Sequence, residues 1–448
     1  MNFLDTIIGF IPTIKAPAKV PTIKQKLLWT LVALVLFFLL GTVTLLGLEG
    51  AADLGRLQVI LASNIGTLLT LGIGPIVVAS IILQLLAGIK IINFDFSNKV
   101  ERARFSGLQT ILAIVIAVVE AVIMTLFGFL TPLPGMFLLV VIQIVLGAIL
   151  IIYLDDIVNK YGIGSGIGLF IAAGVSQTIL WRIFSIPALG YGGGLLFLGF
   201  EYLAAGGTIE LLRFVLIPIL MTLLVFFAVL YAESMHINIP LTVGRSGMGA
   251  KYPVKFLYVS VMPVILASTL FVNIALFIKI LPKSAFINFL DVFLNTPHTL
   301  VETMFANGFS FLLLLQGLGY MVLFVGACVV FGKFWVEVGG QGVENVAKQL
   351  QSSGMSIPGF RRDERVIVGV LNRYVPTIVI LGSIFVGLLA FFSDLTGAIG
   401  TGTGVLLTVG VIYRFYEQLA KEQAFESSSM LKQLVGKWFL CFHYLIRG

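Results

Sequence analysis

The chain has 448 residues, of which 59% are hydrophobic and only 11% are charged. A soluble globular domain would carry roughly 25% charged residues, so the composition excludes that class and indicates a polytopic membrane protein. The formal net charge is +7 at pH 7, and it has meaning only once each basic residue is assigned to a side of the membrane.

The apolar stretches predict ten membrane spans, because a span needs about 20 mainly apolar residues. Residues 188–205 are apolar enough for an eleventh, but an eleventh span would move the later basic loops outside, so we expect an external, Gly-rich, partly membrane-associated loop there. The ten predicted spans are residues 28–48, 74–92, 105–130, 136–157, 164–180, 209–231, 256–281, 309–336, 366–392 and 402–419.

The basic residues predict the orientation of these spans. If the N terminus is cytoplasmic, all but five of the 28 lysines and arginines fall on the cytoplasmic side, as the positive-inside rule requires. The exceptions are Arg56, Arg182, Arg213, Lys279 and Lys283. We therefore expect both termini in the cytoplasm. We also expect no cleavable signal peptide, because a mostly amphipathic segment precedes the first span and no small-residue cleavage site follows a short apolar core.

Residues 53–92 form a hydrophobic stretch that is interrupted. Leucine or isoleucine recurs every three or four residues from Leu54 to Leu68, through Ile65, which predicts a helix with a polar opposite face. The sequence Gly72-Ile73-Gly74-Pro75 then breaks it, since proline lacks an amide donor and glycine tolerates unusual dihedrals. Non-helical backbone at membrane depth survives only where it is buried or lines a cavity, so the break predicts a pore or cavity.

Ten spans divide into two sets of five. Because five is odd, the second set must enter from the opposite side, which predicts two inverted halves related by an axis in the membrane plane. The predicted divisions are an N-terminal half (residues 1–205), a C-terminal half (206–421) and a tail (422–448). No residue-by-residue repeat is evident.

Two long cytoplasmic loops are predicted, at residues 232–255 and 332–365. The second is predicted to contain a short helix near residues 343–350. Residues 3–11 predict either an interfacial helix or a frayed terminus.

The sequence offers no catalytic or cofactor site. The glycine-rich runs at residues 162–168 and 400–404 lack phosphate-binding spacing and open membrane helices instead. His236, His298 and His443 lie in separate loops without a ligand-spaced partner. We therefore predict neither an enzyme nor a metal or cofactor protein.

Glu120 is the one carboxylate clearly in the middle of a predicted span. Such a group can mark an ion or proton path, or it can bond to another helix, for which Asn273 is a candidate. A secondary transporter, which also uses a broken helix at an inverted-repeat interface, is therefore an alternative function. A non-transporting scaffold is a third, and it leaves the broken helix unexplained.

Five motifs carry a resemblance to a known family. Residues 67–77 (TLLTLGIGPIV) and 160–174 (KYGIGSGIGLFIAAG) are similar to the second-helix signature and the fifth-helix entrance of the SecY protein-conducting channel in its archaeal form. Lys251-Tyr252-Pro253, Pro358-Gly359-Phe360-Arg361 and residues 402–407 (GTGVLL) agree as well. The resemblance implies an all-α integral membrane protein in the cell membrane, with ten transmembrane helices in two inverted halves and a short re-entrant plug helix.

The resemblance assigns a narrow ring and a plug. The ring of branched aliphatic side chains would be Ile73, Val77, Ile167, Ile171, Ile265 and Leu407. The plug helix, residues 53–64, would seat against the ring from outside with Asp53, Leu54, Arg56, Leu57, Ile60, Leu61 and Asn64. A dry aliphatic ring blocks ions by dewetting and yields to a passing chain.

The resemblance also implies a lateral gate between the second and third spans of one half and the seventh and eighth of the other. Its polar positions would be Ser80, Gln84, Glu120 and Asn273. Val78 stands where a hydroxyl residue is common in the family. The residues that would contact the ribosome are Arg245, Lys251, Arg361, Arg362 and Arg365.

The implied function is that of the pore-forming subunit of the Sec translocon, which conducts unfolded polypeptides and releases signal and transmembrane helices into lipid. The implied partners are a SecE-like one-span clamp subunit, a second small one-span subunit, the ribosome, signal sequences and nascent polypeptides. The tail departs from the family, whose members usually end soon after the last span. Residues 430–447 are predicted to form an interfacial helix, with a partner-binding or partly disordered segment as the alternative.

Overall fold

The structure, a computed structural model, is a helical membrane protein. It describes residues 14, 17, 21–51, 62–88, 92, 99–186, 193–243, 248–259, 261–282, 284, 287, 288, 290, 311–338, 341–352, 355–356, 364–400 and 402–421. The predicted interfacial segments at residues 3–11 and 430–447 lie outside these ranges.

The chain up to residue 186 forms long helices with one small sheet. Its elements are α1 (Ile23–Thr42), β1 (Leu48–Ala51), α2 (Gly74–Gly88), α3 (Lys99–Leu126), β2 (Leu130–Pro132), α4 (Phe137–Tyr161) and α5 (Gly166–Phe184). β1 and β2 pair antiparallel and join the loops that follow α1 and α3.

The rest of the chain adds further helices and a three-stranded sheet. Its elements are α6 (Leu195–Ala205), α7 (Thr208–Leu211), a π-helical segment (Leu212–Leu216), α8 (Ile217–Ser234), β3 (His236–Val243), β4 (Met248–Lys255), α9 (Met262–Ile280), α10 (Phe311–Val338), α11 (Val343–Ser352), β5 (Met355–Ser356), α12 (Glu364–Leu395) and α13 (Gly402–Lys421). β3 lies between β4 and β5, antiparallel to both. The short helix predicted near residues 343–350 is confirmed as α11.

Every predicted span coincides with a helix, the sixth with α7, the π-helical segment and α8 in succession. Among the described residues, seven helices are long and apolar enough to cross a membrane. The apolar stretches of α2 and α9 are shorter, and α13 carries Arg414, Glu417 and Lys421. For these three helices, membrane crossing stays a prediction from the sequence.

One hydrophobic cluster joins the two halves. It takes buried side chains from α1 to α5 and from α8, α9, α10, α12 and α13. α2 packs against α9 and α10, and α5 packs against α13, so these helices make the main contacts between the halves. α1 is peripheral, because it buries only Ala33 and Phe37 and leaves most of its other apolar side chains exposed, as a lipid-facing helix does.

The segment before α2 differs from the prediction. The apolar periodicity predicts a helix through Ile65 and Leu68, but residues 62–73 form successive turns. Gly66 and Gly72 have positive φ angles of 88° and 55°, which an α-helix does not accommodate. The helix prediction is therefore wrong for these residues. Residues 53–61 of the predicted plug lie outside the described residues, and its last three are not helical.

The stretch predicted as an external loop contains a helix. Leu195–Ala205 forms α6, whose apolar residues leave Phe197, Phe200 and Leu203 exposed. Its 11 residues span about 16 Å at 1.5 Å per residue, too little to cross the roughly 30 Å hydrocarbon core. The loop prediction is wrong for these residues because their composition favours a helix, whereas the prediction that they do not form an eleventh span agrees with the structure.

The structure reveals a residue-level repeat that the sequence pattern did not. Residues 163–168 (IGSGIG) align with residues 399–404 (IGTGTG), 236 positions later. Gly164 and Gly400 both have a positive φ, 73° and 75°. The two segments open α5 and α13, the fifth predicted spans of the two halves, so the repeat predicted from parity has a counterpart in individual residues.

Hydrogen bonds repeat in the same way. The Thr30 hydroxyl on α1 accepts the amide of Ile163 at 3.0 Å, and the Thr222 hydroxyl on α8 accepts the amide of Ile399 at 2.9 Å. Each hydroxyl also donates to the carbonyl four residues earlier in its own helix. In the N-terminal half, therefore, α1 holds the loop that leads into α5, and in the C-terminal half α8 holds the loop that leads into α13.

The close packing of Gly147 on α4 can be tested. A Cβ atom there would lie 1.9 Å from the Leu68 carbonyl oxygen, so alanine fits only if the backbone shifts. We expect Gly147→Ala to lower the free energy of unfolding by about 1–3 kcal/mol, the usual cost of overpacking, measured by thermal unfolding in detergent. Gly326→Ala on α10 is the control, since nothing lies within 4 Å of its added Cβ. Equal unfolding temperatures for the two variants would contradict this packing.

Candidate functional site

The six side chains predicted as a ring belong to one buried cluster. Five of them are at most 2% exposed, and Ile167 is partly buried against the cluster. They come from the turn before α2 and from α2, α5, α9 and α13, and therefore from both halves. The six are Ile73, Val77, Ile167, Ile171, Ile265 and Leu407. The structure brings them into one apolar cluster, and their action as a gate is a proposal made below.

α5 and α13 cross through contacts that are two-fold images of each other. A Cβ on Gly164 would lie 2.2 Å from the Phe415 ring, and a Cβ on Gly400 would lie 2.8 Å from Ile179. Positions 400 and 415 are the repeat equivalents of 164 and 179. Each contact is thus repeated with its partners exchanged, which is the property of an isologous interface.

The centre of this crossing coincides with the predicted ring. Ile171 lies close to midway between positions 164 and 179 of α5, and Leu407 takes the equivalent place on α13. A Cβ on Gly168 would lie 3.2 Å from Val411, so the close approach continues toward the centre. The missing side chains at the glycines let the helices approach, and both ring residues are fully buried there.

The predicted lateral gate is a packed seam of α2 against α9 and α10. Gln84 on α2 is buried and its amide nitrogen donates to the Ser80 hydroxyl at 2.9 Å, but its carbonyl oxygen has no partner in the described part of the chain. The Thr269 hydroxyl on α9 is likewise buried and, in that same part, unpaired. An unpaired buried polar atom costs free energy, so this seam is weaker than a fully apolar one.

The bond considered between Glu120 and Asn273 does not form. Asn273 instead donates to the Thr269 carbonyl of its own helix at 2.9 Å, and Glu120 is partly buried on α3. Asn273 is therefore not the partner that was considered for Glu120, because its side chain bonds within α9, and such a local bond competes with contacts to other helices. That the two residues serve the lateral gate stays a prediction.

A cavity of about 870 Å³ lies beside the end of the predicted plug. Its walls are α1, residues 62–69 and the second half of α5, and its polar lining includes Ser63, Gln177 and Arg182. Ala62 contributes to the same buried cluster as the ring, and a Cβ on Gly174 would lie 3.4 Å from it. The chain at the end of the plug segment therefore contacts α5 and borders an open space.

Most residues predicted to contact the ribosome fall outside the described ranges. Arg245, Arg361 and Arg362 do so, and Lys251 is described only through its backbone on β4. Arg365 lies exposed in the first turn of α12. Lys251 and Arg365 lie in one folded unit, because the hairpin of β3 and β4 shares a second hydrophobic cluster with α11 and α12.

This hairpin is a feature that the sequence reasoning missed. Apolar residues alternate from Ile237 through Ile239 and Leu241 to Val243, and a Gly-Arg-Ser-Gly sequence follows, which together are a hairpin signal. Tyr258, just after β4, donates to the Gln341 carbonyl at 2.8 Å and so joins the hairpin to the loop before α11.

The hairpin is also joined to α13, which no local sequence pattern could have indicated. Lys255 donates to the Glu417 carboxylate, and its ammonium lies 5.3 Å from the centre of the Tyr413 ring. The partners are 162 residues apart in sequence. A connection therefore runs from the hairpin to a helix that carries a ring residue. Within the described ranges, no three potential metal ligands come together.

The SecY family profile matches residues 67–416. The chain belongs to the SecY family. It is 42% identical over 455 residues to the protein translocase subunit SecY of Methanothermobacter thermautotrophicus, with 96% of this chain and 98% of that protein covered. The all-α membrane fold and the resemblance drawn from the motifs are thereby confirmed.

Two solved structures resemble the fold of this SecY-family chain. A structure of a protein-conducting channel has a TM-score of 0.78 and 40% identity, covering 94% of this chain and 98% of that one. Sec61 in a canine ribosome–channel complex from the endoplasmic reticulum has a TM-score of 0.75 and 39% identity, covering 94% and 97%.

Because the Gln84 oxygen at the seam is unpaired, replacing glutamine by methionine should have opposite effects on the free energy of unfolding at positions 84 and 143. Gln84→Met keeps the side-chain volume and removes the unpaired oxygen, so we expect the free energy of unfolding to rise by up to about 1 kcal/mol. Gln143→Met is the comparison, because Gln143 bonds to both the amide and the carbonyl of Leu46 and its loss should destabilise the protein. Thermal unfolding measures both, and destabilisation by Gln84→Met would contradict the unpaired seam.

Proposed function

We propose that the chain is the pore-forming subunit of a protein translocase, which conducts unfolded polypeptides across the membrane and releases apolar helices sideways into lipid. The observation that supports this most is the buried aliphatic cluster at the crossing of the two halves, in a chain of the SecY family. The chain is a transport channel, which must let a polypeptide pass while it excludes ions.

The ring would close the resting channel and admit a polypeptide. Five of its six side chains are almost wholly buried, and a dry constriction of this kind excludes hydrated ions by dewetting. Aliphatic side chains make no directional bonds, so a passing chain of any sequence can displace them. Sequence-independent passage with ion exclusion is what polypeptide export requires.

The seam of α2 against α9 and α10 would be the lateral gate. Opening it exposes the channel interior to lipid, where a segment of about 20 apolar residues is stable. Ser80, Gln84, Glu120 and Asn273 would set how readily it opens. The sequence carries no energy-converting motif, so a bound partner or chain elongation must drive transport.

The plug would seat against the ring from the external side. Its end at Ala62 belongs to the ring's cluster and borders the 870 Å³ cavity. The plug residues would be Asp53, Leu54, Arg56, Leu57, Ile60, Leu61 and Asn64.

The proposed partners follow from the family and the surface. The solved canine relative is part of a ribosome–channel complex, and here the hairpin, α11 and α12 form a unit that carries Lys251 and Arg365. Arg245, Arg361 and Arg362 complete the proposed ribosome contact. A SecE-like clamp subunit and a second one-span subunit would complete the complex, in the cell membrane with both termini of the chain in the cytoplasm.

Reconstitution tests this function against a secondary transporter. The complex from native membranes is placed in vesicles and supplied with a secretory polypeptide. We expect signal-dependent polypeptide transport, co-purification of one-span proteins and salt-sensitive ribosome binding. Uptake of a small molecule without polypeptide transport would overturn the proposal and favour the transporter.

Weakening the ring should relax selection of signal sequences. Ile73→Ser and Ile167→Ser each remove apolar surface from the closed ring, at about 1–2 kcal/mol, which corresponds to roughly a tenfold shift toward opening. We expect secretory proteins with defective signals to be exported, measured in cells or vesicles. Val322→Ser at a 65% exposed position of α10 is the control, and equal export by the control would argue against the ring.

Removing the plug should make the resting membrane leak. Deletion of residues 53–64 leaves the external side of the ring uncovered, so we expect ion conductance without a translocating chain, recorded in planar bilayers. Conductance that stays at the level of the unmodified channel would count against the plug assignment.

A further inference from the structure

Carboxylates hold the first turns of the two helices that cross at the ring. Asp155 on α4 accepts the amide of Ile167 at 2.7 Å. Asp394 on α12 accepts the amide of Thr403 at 3.3 Å and its hydroxyl at 2.9 Å. Positions 167 and 403 are equivalent in the repeat. Each carboxylate therefore caps the same amide in its half, and it does so from the preceding span, nine or more residues away.

The geometry at α5 leaves no space for a side chain between cap and helix. A Cβ on Gly166 would lie 2.4 Å from an Asp155 carboxylate oxygen. Asn159, one turn further along α4, donates to Asp155 at 3.0 Å and accepts the amide of Gly166 at 3.1 Å. The first amides of a helix have no partner within it and favour a nearby negative charge. Residues of α4 therefore supply the hydrogen-bond acceptors that the first amides of α5 need.

A second bond acts at the same two places. The hydroxyls of Thr30 and Thr222 bind the amides four positions before those that the carboxylates bind. The first and fourth spans of each half thus hold the entry of its fifth span. We call Thr30, Asp155, Thr222 and Asp394 the entry anchors.

The amides that the two carboxylates hold lie close to the ring along the chain. Ile171 is four residues after Ile167, and Leu407 is four residues after Thr403, which is about 6 Å along a helix axis. A slip of one residue would move a ring side chain by about 1.5 Å and turn it by roughly 100°. A fixed first turn therefore decides both the depth of Ile171 and Leu407 and the direction in which they point.

We propose that the entry anchors are positioning residues of the pore, which hold α5 and α13 in the register that closes the ring. Because the halves are inverted, the two sets act from opposite membrane surfaces on one constriction. The proposal rests on the pore function proposed above and adds residues that are not part of the ring, the plug or the lateral gate.

The test measures the resting conductance of the complete complex in planar bilayers. Asp155→Ala and Asp394→Ala remove the acceptors, and we expect each to raise the conductance about tenfold, the factor that 1.4 kcal/mol supplies. Asp155→Asn and Asp394→Asn keep an oxygen that accepts the amide, so they should stay near the unmodified level. Asp156→Asn is the matched control, because Asp156 pairs with Lys160 at 2.7 Å instead.

Milder variants keep the test valid if an alanine variant does not assemble. Thr30→Val and Thr222→Val each remove one bond, and we expect a similar, smaller rise from both halves. The proposal is overturned if every alanine and valine variant that assembles conducts no more than the unmodified complex, even where its unfolding temperature is lowered. A leak of the same size from Asp156→Asn would overturn it as well.

The same preparations separate this proposal from the proposed function. The unmodified complex is supplied with a secretory polypeptide that has an intact signal. If it transports nothing, the pore function fails. If it transports normally while the anchor variants stay silent, only the entry anchors fail.

Discussion

The close crossing of α5 and α13 is the contact on which the pore depends. Gly164 and Gly400 stand where any side chain would overlap the other helix, and both adopt a positive φ. Only glycine meets both conditions without strain. The approach that they allow buries Ile171 and Leu407 completely, and the ring is assembled around these two residues by side chains from α2 and α9.

Polar bonds are distributed unevenly between the two places where the halves touch. At the crossing, carboxylates and hydroxyls hold the loops that enter α5 and α13, and they pair the amides of Ile163, Ile167, Ile399 and Thr403. At the seam, Gln84 and Thr269 bury polar atoms that have no partner in the described residues. Separating the seam gives those atoms access to water or to a passing chain. The bonds at the crossing lie within each half, so they hold α5 and α13 on their own halves and are not broken when the halves part. The unpaired atoms therefore favour opening at the seam.

Much of the architecture could be predicted from the sequence, because hydropathy reports directly on membrane spans and basic residues report on orientation. The helix prediction failed at residues 62–73, because the apolar residues there keep a helical spacing although Gly66 and Gly72 turn the chain. The ring needed the family resemblance, since Ile171 and Leu407 look like ordinary span packing. The carboxylate caps were beyond any local pattern, because each joins two helices, and the repeat that reveals them is only six residues long.

The central claim is that a polypeptide passes between the two halves at the crossing of α5 and α13. A photoreactive amino acid placed at Ile171 or Leu407, with a secretory chain arrested midway by a folded C-terminal domain, tests it most directly. The comparison site is Val322, which is 65% exposed on α10. We expect cross-links to the arrested chain from positions 171 and 407 and none from 322. Cross-links from position 322 alone would contradict a central pore.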